Sequence, residues 1–318
     1  MTQVSVRRVM VTGATGFIGS RVVRQLVAEG CEVIALTRPG GSTERVEQLG
    51  AAVTIVPGDF HHPAAWERRL NDLRPDALVH LAWHTVPGQY RSHPGNVTDL
   101  TASLGLLERA QGWGCSRFVG IGTCLEYDPH SGFLSEDVPL VPTSLYASCK
   151  AALYLSASAW AQKRGLSFAW ARLFYQFGPG ENPRRLIPSV VIALLRGRPL
   201  ALASGQQVRD YLHVDDVADA ISRLIFSDAQ GAFNVGSGRP MRVRDLVNIV
   251  ESQIGKHGLI RIGELPEPED EPPFICANNA RLRRAVDWQP AQTLEERLSN
   301  TINWWANRTS NTDIEGLQ

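Results

Sequence analysis

The sequence predicts an α/β fold: a Rossmann-type doubly wound parallel sheet with a smaller α/β lobe. Three observations lead there. Continuous apolar runs of strand length alternate with helix-period stretches through the first half of the chain. Strands buried on both faces read as unbroken apolar runs, and helices between them make the sheet parallel. A glycine-rich turn joins the first run to the first helical window, and the alternation loosens after Phe174.

Arg8–Thr12 is the first strand, followed by the turn Thr12-Gly13-Ala14-Thr15-Gly16-Phe17-Ile18-Gly19 and a helix running to about Ala28. Further strands are expected at 32–36, 52–56, 77–83, 117–123 and 167–174, with helices at 63–73, 96–112 and 143–164 between them. Such units in series wind a sheet with helices on both faces. Beyond 174, the pattern predicts a Gly-Pro-Gly-Glu-Asn-Pro loop at 178–183, a helix at 185–196, and a short segment at 199–204. It then gives a strand at 232–236 and helices at 243–254 and 293–306. An acidic, proline-rich loop spans 265–273, and 309–318 reads as a frayed tail. The expected division is a dinucleotide-binding domain of 1–174 plus about 213–236, with the lobe formed by about 175–212 and 237–308.

Composition narrows the function classes. Lys plus Arg is 32 and Asp plus Glu is 32, so the formal net charge is zero and no nucleic-acid or anionic-membrane partner is expected. No stretch approaches the roughly 20 apolar residues of a bilayer span, and the start of the chain lacks the pattern of a secretory signal. The 5 scattered cysteines form no metal-ligand spacing, so no metal is expected, and a reducing, cytoplasmic setting fits them.

The glycine turn is a phosphate cradle. Gly13, Gly16 and Gly19 follow a strand and open a helix, where backbone N–H groups and the helix N-terminus favour a pyrophosphate. At the end of the second strand, where an acid would hold a ribose 2′-hydroxyl, stand Thr37 and Arg38. Arg38 suits a 2′-phosphate, so NADP(H) is favoured over NAD(H). Asp59, after the third strand, suits an adenine amino group or caps the next helix. Tyr146 and Lys150 form a Y-x-x-x-K pair that shares one helix face. An ammonium beside a phenol lowers its pKa and equips it for proton transfer at neutral pH.

These motifs resemble the extended short-chain dehydrogenase/reductase family, and within it the nucleotide-sugar epimerase/dehydratase branch. The resemblance rests on TGATGFIG at 12–19, Gly58-Asp59, Thr123 before Tyr127, YASCK at 146–150, RLFYQFGP at 172–179, GQQVRDYLHVDD at 205–216, Asn234-Val-Gly236, and the closing Trp288 and Trp304-Trp305. It implies a catalytic triad of Thr123, Tyr146 and Lys150. It also implies a cofactor lined by Gly13, Thr15, Gly16, Phe17, Ile18, Gly19, Arg38, Asp59, Phe60, Leu81, Ala82 and Trp83 together with Tyr146 and Lys150. A nucleotide-diphosphate sugar would be met by the substrate-binding lobe, with Arg209 on the diphosphate and His84, Thr123, Glu126 and Tyr175 near the sugar. The branch implies a homodimer packed through the helices at 96–112 and 143–164.

Sugar 4,6-dehydratases of this branch place an Asp and a Glu directly after the catalytic Thr; here those positions hold Cys124 and Leu125. Neither replaces a carboxylic acid that protonates a leaving hydroxyl. That leaves reduction or 4-epimerisation; the strand end that suits NADPH, and the resemblance of His80-Leu-Ala-Trp83 and Gly122–Asp128 to the subgroup handling deoxysugar nucleotides, point to NADPH-dependent reduction of a nucleotide-linked 4-keto-6-deoxysugar at C4. The alternatives are 4-epimerisation with tightly bound NAD, reduction of hydrophobic ketones, and a non-catalytic dinucleotide sensor.

Overall fold

A computed structural model describes residues 6–267 and 271–311. Its elements in the first half are β1 (Arg8–Thr12), α1 (Phe17–Ala28), β2 (Glu32–Thr37), α2 (Glu44–Glu47), β3 (Val53–Pro57), α3 (Glu67–Leu73), β4 (Ala77–His80), α4 (Gly95–Trp113), β5 (Arg117–Thr123), β6 (Phe133–Leu134), α5 (Leu145–Arg164) and β7 (Ser167–Leu173). The second half adds β8 (Tyr175–Phe177), α6 (Leu186–Arg196), β9 (Leu200–Leu202), β10 (Val208–His213), α7 (Val214–Ile225), β11 (Gly231–Val235), β12 (Pro240–Arg242), α8 (Val243–Ile254), β13 (Ile260–Ile262), β14 (Cys276–Ala277), α9 (Ala280–Val286) and α10 (Leu294–Asn311).

Seven parallel strands form the main sheet in the order β11-β7-β5-β4-β1-β2-β3. The chain starts at β1, moves out to β3, then returns past β1 to β4. That reversal puts a crevice at the carboxyl ends of β1 and β4, where open α/β sheets bind ligands. Both faces are apolar because both are covered. Val9, Val11, Val33, Ala35, Val79 and Val119 pack toward α1 and α7. Their alternating neighbours Met10, Ile34, Leu78, Phe118, Phe168 and Trp170 pack toward α3, α4 and α5. A separate core joins α6, α8 and α10 around Val191, Leu246, Leu298 and Trp305. No helix among the described residues is long and apolar enough to cross a membrane.

The differences from the sequence reading have local causes. The fourth strand stops at His80, not 83, because the Leu81 and Ala82 N–H groups turn to the Thr12 carbonyl (3.3 Å) and hydroxyl (3.2 Å). The 63–73 helix is broken by Trp66, whose indole N–H is drawn to the Asp59 carbonyl at 2.7 Å. The last helix runs on to Asn311, so the expected tail loses its first residues to α10; positions 312–318, 268–270 of the acidic loop, and 1–5 lie outside the described residues.

Candidate active site

The turn after β1 is made of backbone. Gly13 has φ +67°, and a Cβ there would sit 2.9 Å from the Ala82 nitrogen; one on Gly19 would land on the Gly13 carbonyl oxygen. A side chain at either place would push α1 off the strand ends. Gly16, the residue before α1, offers no side-chain cap, so the first N–H groups of the helix stay available to an anion. Thr15, Phe17 and Ile18 complete this cradle, which fits a dinucleotide pyrophosphate. Two arginines tie it to the far side of the crevice: Arg21 donates to the Pro179 carbonyl at 3.1 Å and Arg45 to the Gly180 carbonyl at 3.0 Å. At the tip of β2, Arg38 is exposed and forms no ion pair among the described residues.

At the end of β3, both Asp59 oxygens are engaged. His61 lies 2.7 Å from Oδ1 through its ring Nδ1, and His62 lies 3.3 Å from Oδ2. Hydrogen bonds from His61 hold the Asp59 carboxyl below its ordinary range against the opposing effect of burial. Phe60 packs on His61 with ring centroids 4.0 Å apart. Beneath the β1–β4 crevice His80 is fully buried, 2.7 Å from both the Thr12 and Ser103 hydroxyls. Ser103 donates to the Asp99 carbonyl and so accepts from His80 Nε2, which leaves Nδ1 as the acceptor for Thr12. Burial drives this imidazole down to about 3, so it stays neutral.

Thr123 ends β5, where a short 3-10 turn of Cys124–Glu126 begins. Its hydroxyl accepts from the Leu125 N–H at 3.3 Å, and the Tyr146 phenol comes from the first turn of α5. Ser144 caps that helix by accepting from the Ala147 N–H. Tyr146 is 9% exposed, and burial pushes its phenol upward. Lys150 is not paired with the phenol: it donates to the Ile121 carbonyl at 2.7 Å and lies 3.8 Å above the Trp83 ring. This corrects the expected tuning. The cation's charge is taken up by a carbonyl and a ring face, so desolvation of the phenol wins. The same desolvation brings Lys150 itself down to about 7, opposed by Glu126 and Asp99.

Glu126 is a second correction. Expected at the sugar, it is fully buried beneath the turn. It accepts from the Thr123 N–H (2.8 Å), Arg172 Nε (2.8 Å) and the Trp170 indole (3.1 Å). Its carboxylate braces the loop that carries Thr123 from the core side, and Arg172 also donates to the Tyr127 hydroxyl at 2.9 Å. Tyr127 in turn donates to Asn234 of β11 at 2.6 Å. Cys124 is buried and its thiol is pushed up to about 12 by desolvation, so it offers no acid for neutral pH.

Arg209 on β10 is buried, and its acidic partner is Glu271, 3.2 Å from Nη2 without the alignment of a hydrogen bond. Its guanidinium lies 5.3 Å from the Tyr175 ring. A buried, poorly paired guanidinium is a fit for a diphosphate. His84 donates its backbone N–H to Asp99 at 2.9 Å, and its ring stacks on His93 at 3.9 Å; among the described residues no hydrogen bond, ion pair or ring contact joins it to Thr123, Tyr146 or Lys150. Trp83 donates to Asn96 at 2.8 Å, and its ring serves Lys150.

The sequence reading missed the 84–94 loop. Tyr90 packs edge-on against Tyr146 at 4.9 Å, and the Arg91 carbonyl accepts from the Tyr146 N–H. It also missed Glu181, whose Oε2 is buried without a partner and whose carboxyl is driven up to about 8 by burial. Only its place in the loop after the sixth strand hinted at that.

Comparison with known proteins agrees with this geometry. Residues 9–236 match the NAD dependent epimerase/dehydratase family. The chain is 28% identical to a dTDP-glucose 4,6-dehydratase of Xanthomonas campestris, over 97% of this chain and 95% of that one. It is 29% identical to the UDP-glucose 4-epimerase of Mycolicibacterium smegmatis, over 95% and 99%. The solved structure of DesIV, a dTDP-glucose 4,6-dehydratase from Streptomyces venezuelae with NAD bound, superposes with a TM-score of 0.85 at 27% identity, covering 98% of this chain and all of that one. With a glycine cradle at the sheet crevice and Thr123, Tyr146 and Lys150 gathered beside it, the chain belongs to the NAD dependent epimerase/dehydratase family.

Proposed function

We propose that this protein reduces a nucleotide-diphosphate 4-keto-6-deoxysugar at C4 with NADPH. The observation that carries the reading is the catalytic loop itself. Thr123 ends β5 with its N–H held on Glu126 and Tyr146 opens α5 against the Tyr90 ring, while the two positions after Thr123 hold a thiol pushed up to about 12 and a leucine. Proton transfer to a sugar oxygen is supported; elimination of a sugar hydroxyl, which needs an acid beside the leaving group, is not.

When bound, the dinucleotide supplies hydride. Residues of the turn hold its pyrophosphate, and Arg38 meets a 2′-phosphate. Thr123 holds O4 of the sugar in place through its hydroxyl. Tyr146 gives its proton to O4 as negative charge develops there. A phenol driven upward by burial favours its neutral, donating form; that suits reduction better than the base role with which an epimerisation begins. Lys150, held on the Ile121 carbonyl, lends positive charge near the reacting oxygen. The lobe of 175–212 and 237–308 carries the nucleotide, with Arg209 on the diphosphate and Tyr175 beside it. Exposed Val97 on α4 and Leu155 on α5 support a homodimer through those helices, and we place the protein in the cytoplasm.

The test is NADPH oxidation with dTDP- and UDP-linked 4-keto-6-deoxysugars, with the product sugar identified by NMR. Reduction at C4 supports the reading. Tightly retained NAD with interconversion of UDP-glucose and UDP-galactose would replace it with the 4-epimerase reading, which the mycobacterial relative favours.

A further inference from the structure

Residues 178–181, Gly-Pro-Gly-Glu, lead from β8 toward α6 as one tight turn. The Glu181 N–H donates to the Gly178 carbonyl at 3.3 Å, and Gly180 has φ +87°. Proline at the first central position and a left-handed glycine at the second make a type II turn. Such a turn closes on its outer residues and leaves its two central carbonyls without partners inside it. Those are the carbonyls that the arginines take: Arg21 of α1 holds Pro179 and Arg45 of α2 holds Gly180, 158 and 135 residues away in sequence. On its inner side the turn is seated on the start of α7. A Cβ on Gly178 would lie 2.7 Å from Val214 Cγ1 and 3.0 Å from His213 Nε2. Arg21 also stands 3.6 Å from the Asp215 carboxylate there, and Arg297 of α10 approaches the same carboxylate at 3.6 Å. The turn is thus a strap, fastened to α1, α2 and α7, from which α6 and the lobe continue.

Arg21 is the fifth residue of α1, about 6 Å along the axis from the uncapped helix start. The strap is therefore held beside the glycine cradle, at the carboxyl ends of the strands, where open α/β sheets bind ligands. Its fastenings are not deeply buried. The Arg21 side chain is 23% exposed, and Arg45 is exposed and forms no ion pair among the described residues. Both acceptors are neutral carbonyls. Contacts of this kind hold a strap and also release it, unlike the buried pair of Arg172 and Glu126.

We propose that Arg21 and Arg45 are positioning residues that latch this strap across the crevice, so that the dinucleotide passes in and out while the latch is open. Both guanidinium groups are spent on the strap, so the latch favours the closed form equally with the crevice full or empty. Its loss speeds entry and exit together and leaves their ratio nearly as it was. Loss of a ligand contact speeds exit alone. The proposal requires that the crevice take up a dinucleotide and is independent of which sugar reacts.

The test is stopped-flow fluorescence of NADPH and of NADH with the full chain, for the parent, R21A/R45A and R21K/R45K. Entry is read by mixing with coenzyme-free protein, and exit by chasing the bound reduced coenzyme with an excess of its oxidised form. R21A/R45A is expected to raise both rates about tenfold, with the dissociation constant moving less than about threefold. R21K/R45K, whose ammonium groups still donate to carbonyls, is expected to return both rates toward the parent. Unchanged rates, faster exit with unchanged entry, or no rescue by lysine overturns the latch, as does a parent that binds neither coenzyme. R45A alone, at an exposed position, makes the same comparison with a smaller rise in both rates where the double variant does not fold. Faster exchange in a protein that turns over no ketosugar would leave the latch standing and the reductase reading fallen.

Discussion

The two banks of the crevice are built from different materials. On the β1 side the site is backbone: a turn at Gly13, an uncapped helix start, and N–H groups aimed at an anion. On the β5 side it is side chains holding side chains: Glu126 under Thr123, Arg172 on Glu126 and Tyr127, Asn234 on Tyr127. The first bank tolerates no added atom at two glycines but asks little of its neighbours. The second tolerates variety at the surface but fails if one buried partner is lost. In the proposed reading one bank binds and the other reacts.

The largest effect expected is on the reacting bank. Y146F should lower turnover about a thousandfold, within the range of general acid catalysis, while the fold and the affinity for NADPH stay as in the parent. Retained turnover would transfer the proton step elsewhere and break the division between banks. Next is E126A. Removing one partner of a buried ion pair costs about 3–5 kcal/mol, and Arg172 and Glu126 here are 1% and 0% exposed. Urea denaturation should show that loss, with turnover falling alongside it. A change confined to KM with stability intact would mean that Glu126 meets the sugar after all.

On the binding bank the effects should be smaller. R38A should weaken NADPH binding by about 2 kcal/mol, the worth of a charge-assisted contact, and leave NADH unchanged; equal losses for both would remove the 2′-phosphate from Arg38. The effect at Lys150 on stability depends on pH. Its folded value of about 7 lies below its ordinary 10.5, so between those pH values the native state binds fewer protons than the unfolded one. Its cost to stability is thus full below pH 7 and relieved as pH rises toward 10.5. K150M should melt a few degrees higher than the parent at pH 6, with the advantage fading by pH 10 and turnover lost throughout. A parent that is more stable than K150M at pH 6 would reverse this sign.

The same contrast explains what was legible in the sequence. Glycines at 13, 16 and 19 after an apolar strand can hardly mean anything but a close backbone turn, and that bank was read residue by residue. Alternation of Val9 and Val11 with Met10 gave the two-sided sheet for the same reason: backbone period alone decides it. Glu126 could not be read. Three residues after Thr123, its carboxylate can face the crevice or the core, and only Arg172 and Trp170, which stand 46 and 44 residues later in the chain, decide which. Lys150 was misread for a related reason. Helix spacing placed it on the face of Tyr146, but the Ile121 carbonyl and the Trp83 ring, both distant in sequence, took its charge. The acid beside Arg209, Glu271, could not be read either, because it sits 62 residues later, within the acidic loop.

The bond from Tyr127 to Asn234 also fixes an order of assembly. A chain leaving the ribosome can close the turn against Ala82 once β4 has emerged, with most of the protein still unmade. The loop that carries Thr123 cannot be completed until β11 arrives, more than a hundred residues later, to set Asn234 beside β7 and against the Tyr127 hydroxyl. A nascent or truncated chain that ends before residue 234 would thus hold a dinucleotide cradle without a finished catalytic loop, able to capture its coenzyme long before it can use it.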